Sequence, residues 1–348
     1  MNIESDARLL LPRAHGEPLS SVVFKQSASD FQVSEKLVFS PDGEGEHVYL
    51  HLQKQGINTQ WLAAQLAKFA QVKKRDVSYA GLKDRHAVTT QWFSILIHPA
   101  NEPNWEALDI EGLTVLNVTR HRVKLRPGMV RENDFLITLR ECRADPIAVN
   151  SRVETIIAEG VPNYFGEQRF GHQYGNIQSA LNMFSGQLRV KESRLRGLYL
   201  SAARSYLFNK VLAARVSQNL WDKGMNGDVM ILDGTNSFFS VAKMDEELYS
   251  RLATKDIHPS GPLWGKGKII VTGEANQLEQ NVLSSESLLK TGLERASVEI
   301  GRRALRMMPT QFCAKWQSAN TLQLTFSLSS GQYATTVLRE LFQYPASH

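Results

Sequence analysis

Apolar and polar residues alternate with a period of two in several short stretches of the first half of the chain, the period of half-buried strands. Phe31 and Val33 alternate with polar neighbours and lead to Glu35. After the turn-rich Pro41-Asp42-Gly43-Glu44-Gly45, a second strand is expected at Val48-Tyr49-Leu50-His51-Leu52. The period then lengthens: Leu62, Leu66 and Phe69 recur at helical spacing, which predicts a helix over 59–70 with Asn58 or Thr59 as N-cap. A short strand, Val77-Ser78-Tyr79-Ala80, runs into the polar loop 81–86. Further strands are expected at 92–97, 113–118 and 135–139. Asp145 as cap, Pro146 as first residue and Gly160 as stop mark a helix with Val149, Val153, Ile156 and Ile157 on its apolar face.

Beyond Gly160 helical spacing dominates, most clearly in Leu200, Ala203, Leu207, Val211 and Val216. Short strands are expected at 229–232 and 238–241. The Gly- and Pro-rich stretch 259–267 reads as a loop, and 296–307 as a helix ending before Pro309. Strand texture returns at Leu322-Gln323-Leu324-Thr325-Phe326, followed by a helix with Val337, Leu338 and Leu341. No internal repeat is visible. A chain of 348 residues exceeds one comfortable core. Strands, then a helix-rich middle, then strand and helix predict an α+β fold in which one domain is interrupted by another.

Composition changes this picture little: 42 % hydrophobic and 22 % charged residues are ordinary for a globular chain. Charge adds more. The net charge is +5, the sequence pI is about 9.1, and the basic residues are clustered. Arg120, Arg122, Lys124, Arg126, Arg131 and Arg140 form one cluster, Lys73, Lys74 and Arg75 a second. Arg189, Lys191, Arg194 and Arg196 form a third, and Arg302, Arg303 and Arg306 a fourth. Each alone reads as a solvated face; several together, with aromatics nearby, point to a polyanion. Cys142 and Cys313 are far apart and in no CxxC pattern, which argues against a disulfide framework and a structural zinc site. The acidic start of the chain lacks the apolar segment of a signal peptide, and no apolar run is long enough to span a membrane, so a cytoplasmic location is expected.

Signatures of nucleotide, metal and hydrolase chemistry are missing: no GxGxxG after a strand, no GK[ST] phosphate loop, no HExxH, no GxSxG, and no histidine pair at metal-ligand spacing. Chemistry without a metal or nucleotide cofactor is therefore expected. The stretch that stands out is Tyr79-Ala80-Gly81-Leu82-Lys83-Asp84-Arg85-His86-Ala87-Val88-Thr89-Thr90-Gln91-Trp92. A strand enters a glycine, a lone carboxylate sits among Lys83, Arg85 and His86, and a strand follows. Nearby positive charge keeps a carboxylate ionised when it is partly desolvated, as a nucleophilic carboxylate requires. The same residues also read as an ordinary loop between strands with surface charges.

Gly81-x-Lys83-Asp84-x-x-Ala87-x-Thr89-x-Gln91 resembles the signature of the TruD family of tRNA pseudouridine synthases. In the same order along the chain, Lys25 with Asp30-Phe31-x-Val33-x-Glu35 resembles the family's N-terminal motif. Gly56-x-Asn58-Thr59, Asn133-x-Phe135, Asn163-Tyr164-Phe165-Gly166-Glu167-Gln168-Arg169-Phe170-Gly171, Ser201-Ala202-Ala203-Arg204-Ser205 and Leu207-Phe208-Asn209 are similar as well. The resemblance covers nearly the whole chain and is weakest over 218–280. It implies that a catalytic domain with a mixed or antiparallel sheet, residues 1–158 and 308–348, carries an inserted α/β domain, 159–307. It further implies isomerisation of uridine 13 in tRNA; a monomer without a cofactor is expected. Asp84 would be the nucleophile, and Phe31, Asn133 and Tyr333 would contact the flipped nucleotide. Phe135 would stand where other pseudouridine synthases place a tyrosine. At Tyr333 the family often has phenylalanine.

Beside the resemblance, Lys25 is expected as a partner of Asp84, and Lys83, Arg85, His86 and Arg169 as phosphate contacts. Taken singly, several of these residues have plainer readings. Phe31 alternates with Val33 as a core residue would, Asn133 suits a turn cap, and Tyr333 suits a hydrophobic staple before a helix. Two other functions stay open from the residues alone: a non-catalytic RNA-binding protein or RNA chaperone, which has no need of Asp84, and an N-glycosidase, whose chemistry usually needs a second carboxylate.

Overall fold

A computed structural model describes residues 11–344. The chain forms two compact units. The sheet unit comprises 18–153, 309–331 and 342–344 of the described residues; the middle unit comprises 11–17, 154–308 and 332–341. The boundaries expected from sequence, 158/159 and 307/308, lie close to two of these, while 332–341 belongs with the middle unit.

In chain order the sheet unit contributes β1 (Val23–Phe24), β2 (Phe31–Leu37), β3 (His47–Gln55), α1 (Thr59–Phe69), β4 (Val77–Tyr79), β5 (Val88–Leu96), β6 (Leu113–His121) and β7 (Val130–Arg140). Helix α2 (Pro146–Glu159) leads into the middle unit. That unit holds β8 (Val161–Pro162), α3 (Gly175–Phe184), α4 (Ser193–Ser217), β9 (Val229–Leu232), β10 (Phe238–Ser240), α5 (Glu246–Ala253), β11 (Ile257–Leu263), α6 (Gly273–Val282), α7 (Ser287–Arg295), β12 (Gly301–Ala304) and β13 (Arg306–Met307). The chain returns to the sheet unit for β14 (Thr310–Ser318) and β15 (Thr321–Ser329), and α8 (Ala334–Arg339) closes the middle unit.

The sheet unit is built on one mixed nine-stranded sheet in the order β14-β15-β7-β2-β5-β3-β6, with β1 against β7 and β4 against β5. Only β2 and β5 run parallel. The pleat explains the alternation in the sequence: Phe31, Val33 and Glu35 are buried, and the residues between them are half-buried. Helix α1 packs Leu62 and Leu66 against Val48, Leu50, Leu52, Phe93 and Ile95. Its cap is Asn58, whose side chain accepts from Gln60 N at 2.8 Å and Trp61 N at 3.2 Å. Thr59 is thereby left for another task.

The middle unit is organised around α4, whose Leu200, Ala203, Leu207, Val211 and Val216 are buried in one core with Phe165, Leu293 and Leu305. A four-stranded antiparallel sheet, β10-β9-β11-β12, and the pair β13-β8 complete it. No helix among the described residues is long and apolar enough to cross a membrane.

Several expectations are corrected here. Residues 257–263 form a strand, not a loop. Its prolines are accommodated because β11 pairs with β9 up to Pro259 and with β12 from Ser260 onward, so no single neighbour requires a continuous ladder. Residues 296–307 are not a helix. Helix α7 ends at Arg295, and the arginines that follow serve as strand residues of β12 and β13. Strand β14 and helices α3, α5, α6 and α7 were not anticipated. On α2, Val149, Val153 and Ile156 are buried but Ile157 is exposed.

Candidate active site

The loop between β4 and β5 is held from beneath by the polar residues of its own motif. Gln91, buried on β5, donates through Nε2 to Gly81 O at 2.6 Å and accepts at Oε1 from Thr59 Oγ1 at 3.2 Å. Thr59 Oγ1 in turn accepts from Lys83 N at 3.1 Å, and Gly56 N donates to Arg85 O at 2.9 Å. Four backbone groups of the loop and its neighbours are thus satisfied on the inner side, which fixes the direction in which Asp84 emerges.

Asp84 accepts from His86 N at Oδ1, 2.9 Å, a turn the short carboxylate side chain favours. Its Oδ2 lies 2.7 Å from Lys25 Nζ. The carboxyl group is about a third exposed, against 15 % for the Lys25 side chain. Burial pushes the Asp84 carboxyl up, but the hydrogen bonds from Lys25 and the His86 amide, with the charges of Lys25 and His86, outweigh it and hold the group below the ordinary aspartate value. Asp84 is therefore an anion.

Lys25 has φ +60°, a left-handed conformation that side chains rarely adopt. Its ammonium stands 4.2 Å from the Phe31 ring centroid and 5.3 Å from that of Phe24. Phe31 lies 6.1 Å from Phe135, and Phe135 stacks on Phe326 at 5.4 Å. Strand register explains this row. Phe31 pairs with Ile137, Val33 with Phe135 and Glu35 with Asn133 across β2 and β7, so all six side chains share a face. On that face the Oδ1 of Asn133 is buried with no hydrogen-bond partner among the described residues. The opposite face of the same strands carries Gln32, Ser34, Asp134 and Leu136, which line a groove there with Gln311, Thr325 and Ser327.

Beneath Asp84 lies a second ion pair. Lys83, expected to face phosphate, has its Nζ 2.5 Å from Oε1 of Glu35, whose side chain is fully buried and also accepts from Trp92 N at 3.1 Å. Lys54 is buried too. It donates to Ile57 O at 2.9 Å, and burial, only partly countered by the charges of Asp84 and Glu35, lowers its pKa to about 8. Lys54 was missed in the sequence, though it carried a signal: it continues the inward parity of Val48, Leu50 and Leu52. Arg85 and His86 are exposed beside Asp84.

Tyr333 and Arg169 belong to the middle unit, where they meet. Arg169 Nε donates to Tyr333 Oη at 2.9 Å and Nη1 to Ser201 Oγ at 3.2 Å. The hydroxyl that distinguishes Tyr333 from phenylalanine is therefore anchored. Gly166 lets the ring approach, since a Cβ there would meet Tyr333 Cδ1 at 3.0 Å. Among the described residues no group of three or more His, Cys, Asp or Glu side chains could hold a metal ion.

Fold and site together define an α+β protein with a single ionised carboxylate beside a cation and a row of aromatic rings. The family model for tRNA pseudouridine synthase D (TruD) matches residues 16–180 and 175–341, and the chain belongs to that family. A tRNA pseudouridine synthase D of Methylococcus capsulatus is 47 % identical over 334 residues, covering 96 % of this chain and 94 % of the relative. One of Xanthomonas campestris pv. campestris is 46 % identical over 346 residues, covering 95 % and 94 %. A crystal structure of a candidate TruD from Methanosarcina mazei shares the fold, with a TM-score of 0.69 at 22 % identity over 94 % of this chain and 96 % of that one.

Proposed function

We propose that this protein isomerises uridine to pseudouridine in tRNA, at uridine 13, with Asp84 as the catalytic carboxylate. The sheet unit acts as the catalytic domain and the middle unit as the family's insertion. The observation that carries the reading is the placement of Asp84: ionised, paired with Lys25, and on a loop held on its inner side by Gln91, Thr59 and Gly56, in a chain of the TruD family.

The reaction breaks the bond from ribose C1′ to uracil N1, turns the base and joins C1′ to C5. Atoms and electrons are conserved, so it requires no redox equivalent and no energy source. A base inside folded RNA must first be flipped out, at a cost of a few kcal/mol. Stacking on an aromatic ring returns roughly 1–3 kcal/mol per base; Phe31 supplies such a ring. Asn133, with its unpartnered buried Oδ1, suits an imide N–H of the base, and Phe135 packs behind Phe31. Asp84 then attacks C1′ as uracil leaves, or removes a ribose proton to give a glycal; both begin from the anion that Lys25 maintains. The C5 proton is lost last, and Phe135 has no ionisable group to take it. Arg85, His86 and Arg169 serve the phosphates. Lys83, turned inward to Glu35, serves the loop. The enzyme works as a cytoplasmic monomer.

The test is Asp84→Asn with unmodified tRNA tritiated at uridine C5. The variant is expected to bind tRNA as the wild type does and to release no label. Label release near the wild-type rate would remove Asp84 from the chemistry; free uracil as product would indicate a glycosidase instead.

A further inference from the structure

The four basic clusters of the sequence have different fates in the fold, and the difference singles out one of them. In the first, Arg120, Arg122, Arg131 and Arg140 each pair with a carboxylate, of Glu102, Glu44, Glu132 and Asp30. In the fourth, Arg302 pairs with Glu279 at 2.7 Å, Arg303 donates to Asn163 Oδ1 at 2.6 Å, and Arg306 donates to His258 Nδ1 at 2.9 Å. In the second, Arg75 is 4.0 Å from Asp76. The third cluster alone has no acidic partner for any member among the described residues: Arg189, Lys191, Arg194 and Arg196 are all exposed.

Their position makes the isolation costly. Arg194 and Arg196 lie in the first turns of α4, a helix of 25 residues with no acidic residue in its first turn and no side-chain cap. Amide dipoles make that end positive, so the two cations repel it. Glu192, the N-cap residue, is the one acid of the stretch, and its side chain makes no cap hydrogen bond. An arrangement that is unfavourable in the free protein and presents four cations against one acid within eight residues is suited to an anion supplied from outside.

We propose that residues 189–196 form a docking surface for the phosphate backbone of the RNA substrate, on the middle unit and separate from the residues that contact the target nucleotide. The inference rests on the tRNA reading above. Leu188, Leu195 and Leu198 are exposed in the same stretch, so an acidic protein with apolar surface is the competing occupant. Charge favours RNA, because several consecutive backbone phosphates can neutralise the cluster without any base contact.

The experiment compares wild type with R189Q/K191Q/R194Q/R196Q, measuring Kd for an unmodified tRNA across a salt series. At low salt the variant is expected to bind about tenfold or more weakly, and the slope of log affinity against log salt to become shallower by roughly 2–3. KM should rise while kcat holds. Its melting temperature should be no lower than that of the wild type, because two charges that oppose the α4 dipole are gone. Unchanged affinity and slope would overturn the proposal in favour of a protein partner, and weaker binding with an unchanged slope would overturn it as well. Should the fourfold variant melt lower, R194Q/R196Q alone is measured, with a slope expected to fall by about 1–2 and an unchanged slope again decisive against. Binding needs no turnover, so a wild type that binds tRNA but forms no pseudouridine defeats the proposed function and leaves this surface standing.

Discussion

Asp84 is subject to two opposed influences, and their balance makes a pH prediction. Burial alone raises its pKa above the ordinary aspartate value of 3.8; Lys25 and the His86 amide take it below. The anion therefore persists as pH falls, and its stabilising contribution, complete above 3.8, is lost only below that value. The acid limb of kcat/KM set by Asp84 should accordingly lie below pH 3.8. In Lys25→Met burial is left less opposed, so the limb should move upward, in a fold of unchanged circular dichroism. A limb that stays in place would show that Lys25 does not set the charge of Asp84. One shell deeper, Glu35→Gln leaves the Lys83 ammonium, 14 % exposed, without its anion. Removing one partner of a buried pair costs about 3–5 kcal/mol. Displacing Asp84 by even ~1 Å costs on the order of 100-fold in rate. Glu35→Gln/Lys83→Met should recover most of the stability in urea titration and little of the turnover. Full turnover in the double variant would mean that the pair only stabilises. Among these residues Asp84 and Lys25 were legible from the sequence. The inward direction of Lys83 was not, because a lysine next to a lone aspartate looks the same whether its partner is a phosphate or a glutamate 48 positions earlier.

At the scale of elements, those whose signals are local were readable in advance. Asn58 could be recognised as a helix cap, the β2 alternation as a half-buried strand, and Gly160 as the stop of α2. Elements defined by their neighbours were not: β11 is a strand only because β9 and β12 flank it, and its Pro259, Gly261 and Pro262 argue for a loop when read alone. Gly261 is small for a packing reason, since a Cβ there would meet Phe208 and Leu305 at 2.9–3.1 Å. Gly160 offers a direct check. Its φ is +80°, and a Cβ would lie 2.6 Å from Met307 O and 2.6 Å from Met308 Sδ. Left-handed backbone alone costs a non-glycine residue about 1–2 kcal/mol, and the contact with a backbone oxygen cannot be relieved by a rotamer change. Gly160→Ala should therefore destabilise the protein by more than that, seen as a lowered denaturation midpoint at unchanged m-value. A loss under about 0.5 kcal/mol would show that the backbone relaxes there at little cost.

Across the whole molecule, net charge says less than its pairing. The chain carries 40 basic and 35 acidic side chains, and the sequence alone invites the view that every basic cluster faces RNA. The fold divides them into cations that hold the protein together and cations that are left over. That division is invisible in sequence because the partners are distant: Arg140 meets Asp30 and Arg120 meets Glu102 only once the sheet has formed. Arg120 is the clearest structural member. Its side chain is 15 % exposed, it binds Glu102 through Nε at 3.0 Å and Nη2 at 2.6 Å, and it donates to Gly45 O at 2.7 Å, tying the loop before β3 to the strand β6 beside it. Charge-assisted bonds of this kind contribute about 1.5–3 kcal/mol. Arg120→Gln should thus lower the melting temperature and leave the salt dependence of tRNA binding as it was, the reverse of the result expected for residues 189–196. If Arg120→Gln instead flattens the salt slope while the melting temperature holds, the paired cations also face the RNA, and pairing in the free protein ceases to be a guide to which charges the substrate meets.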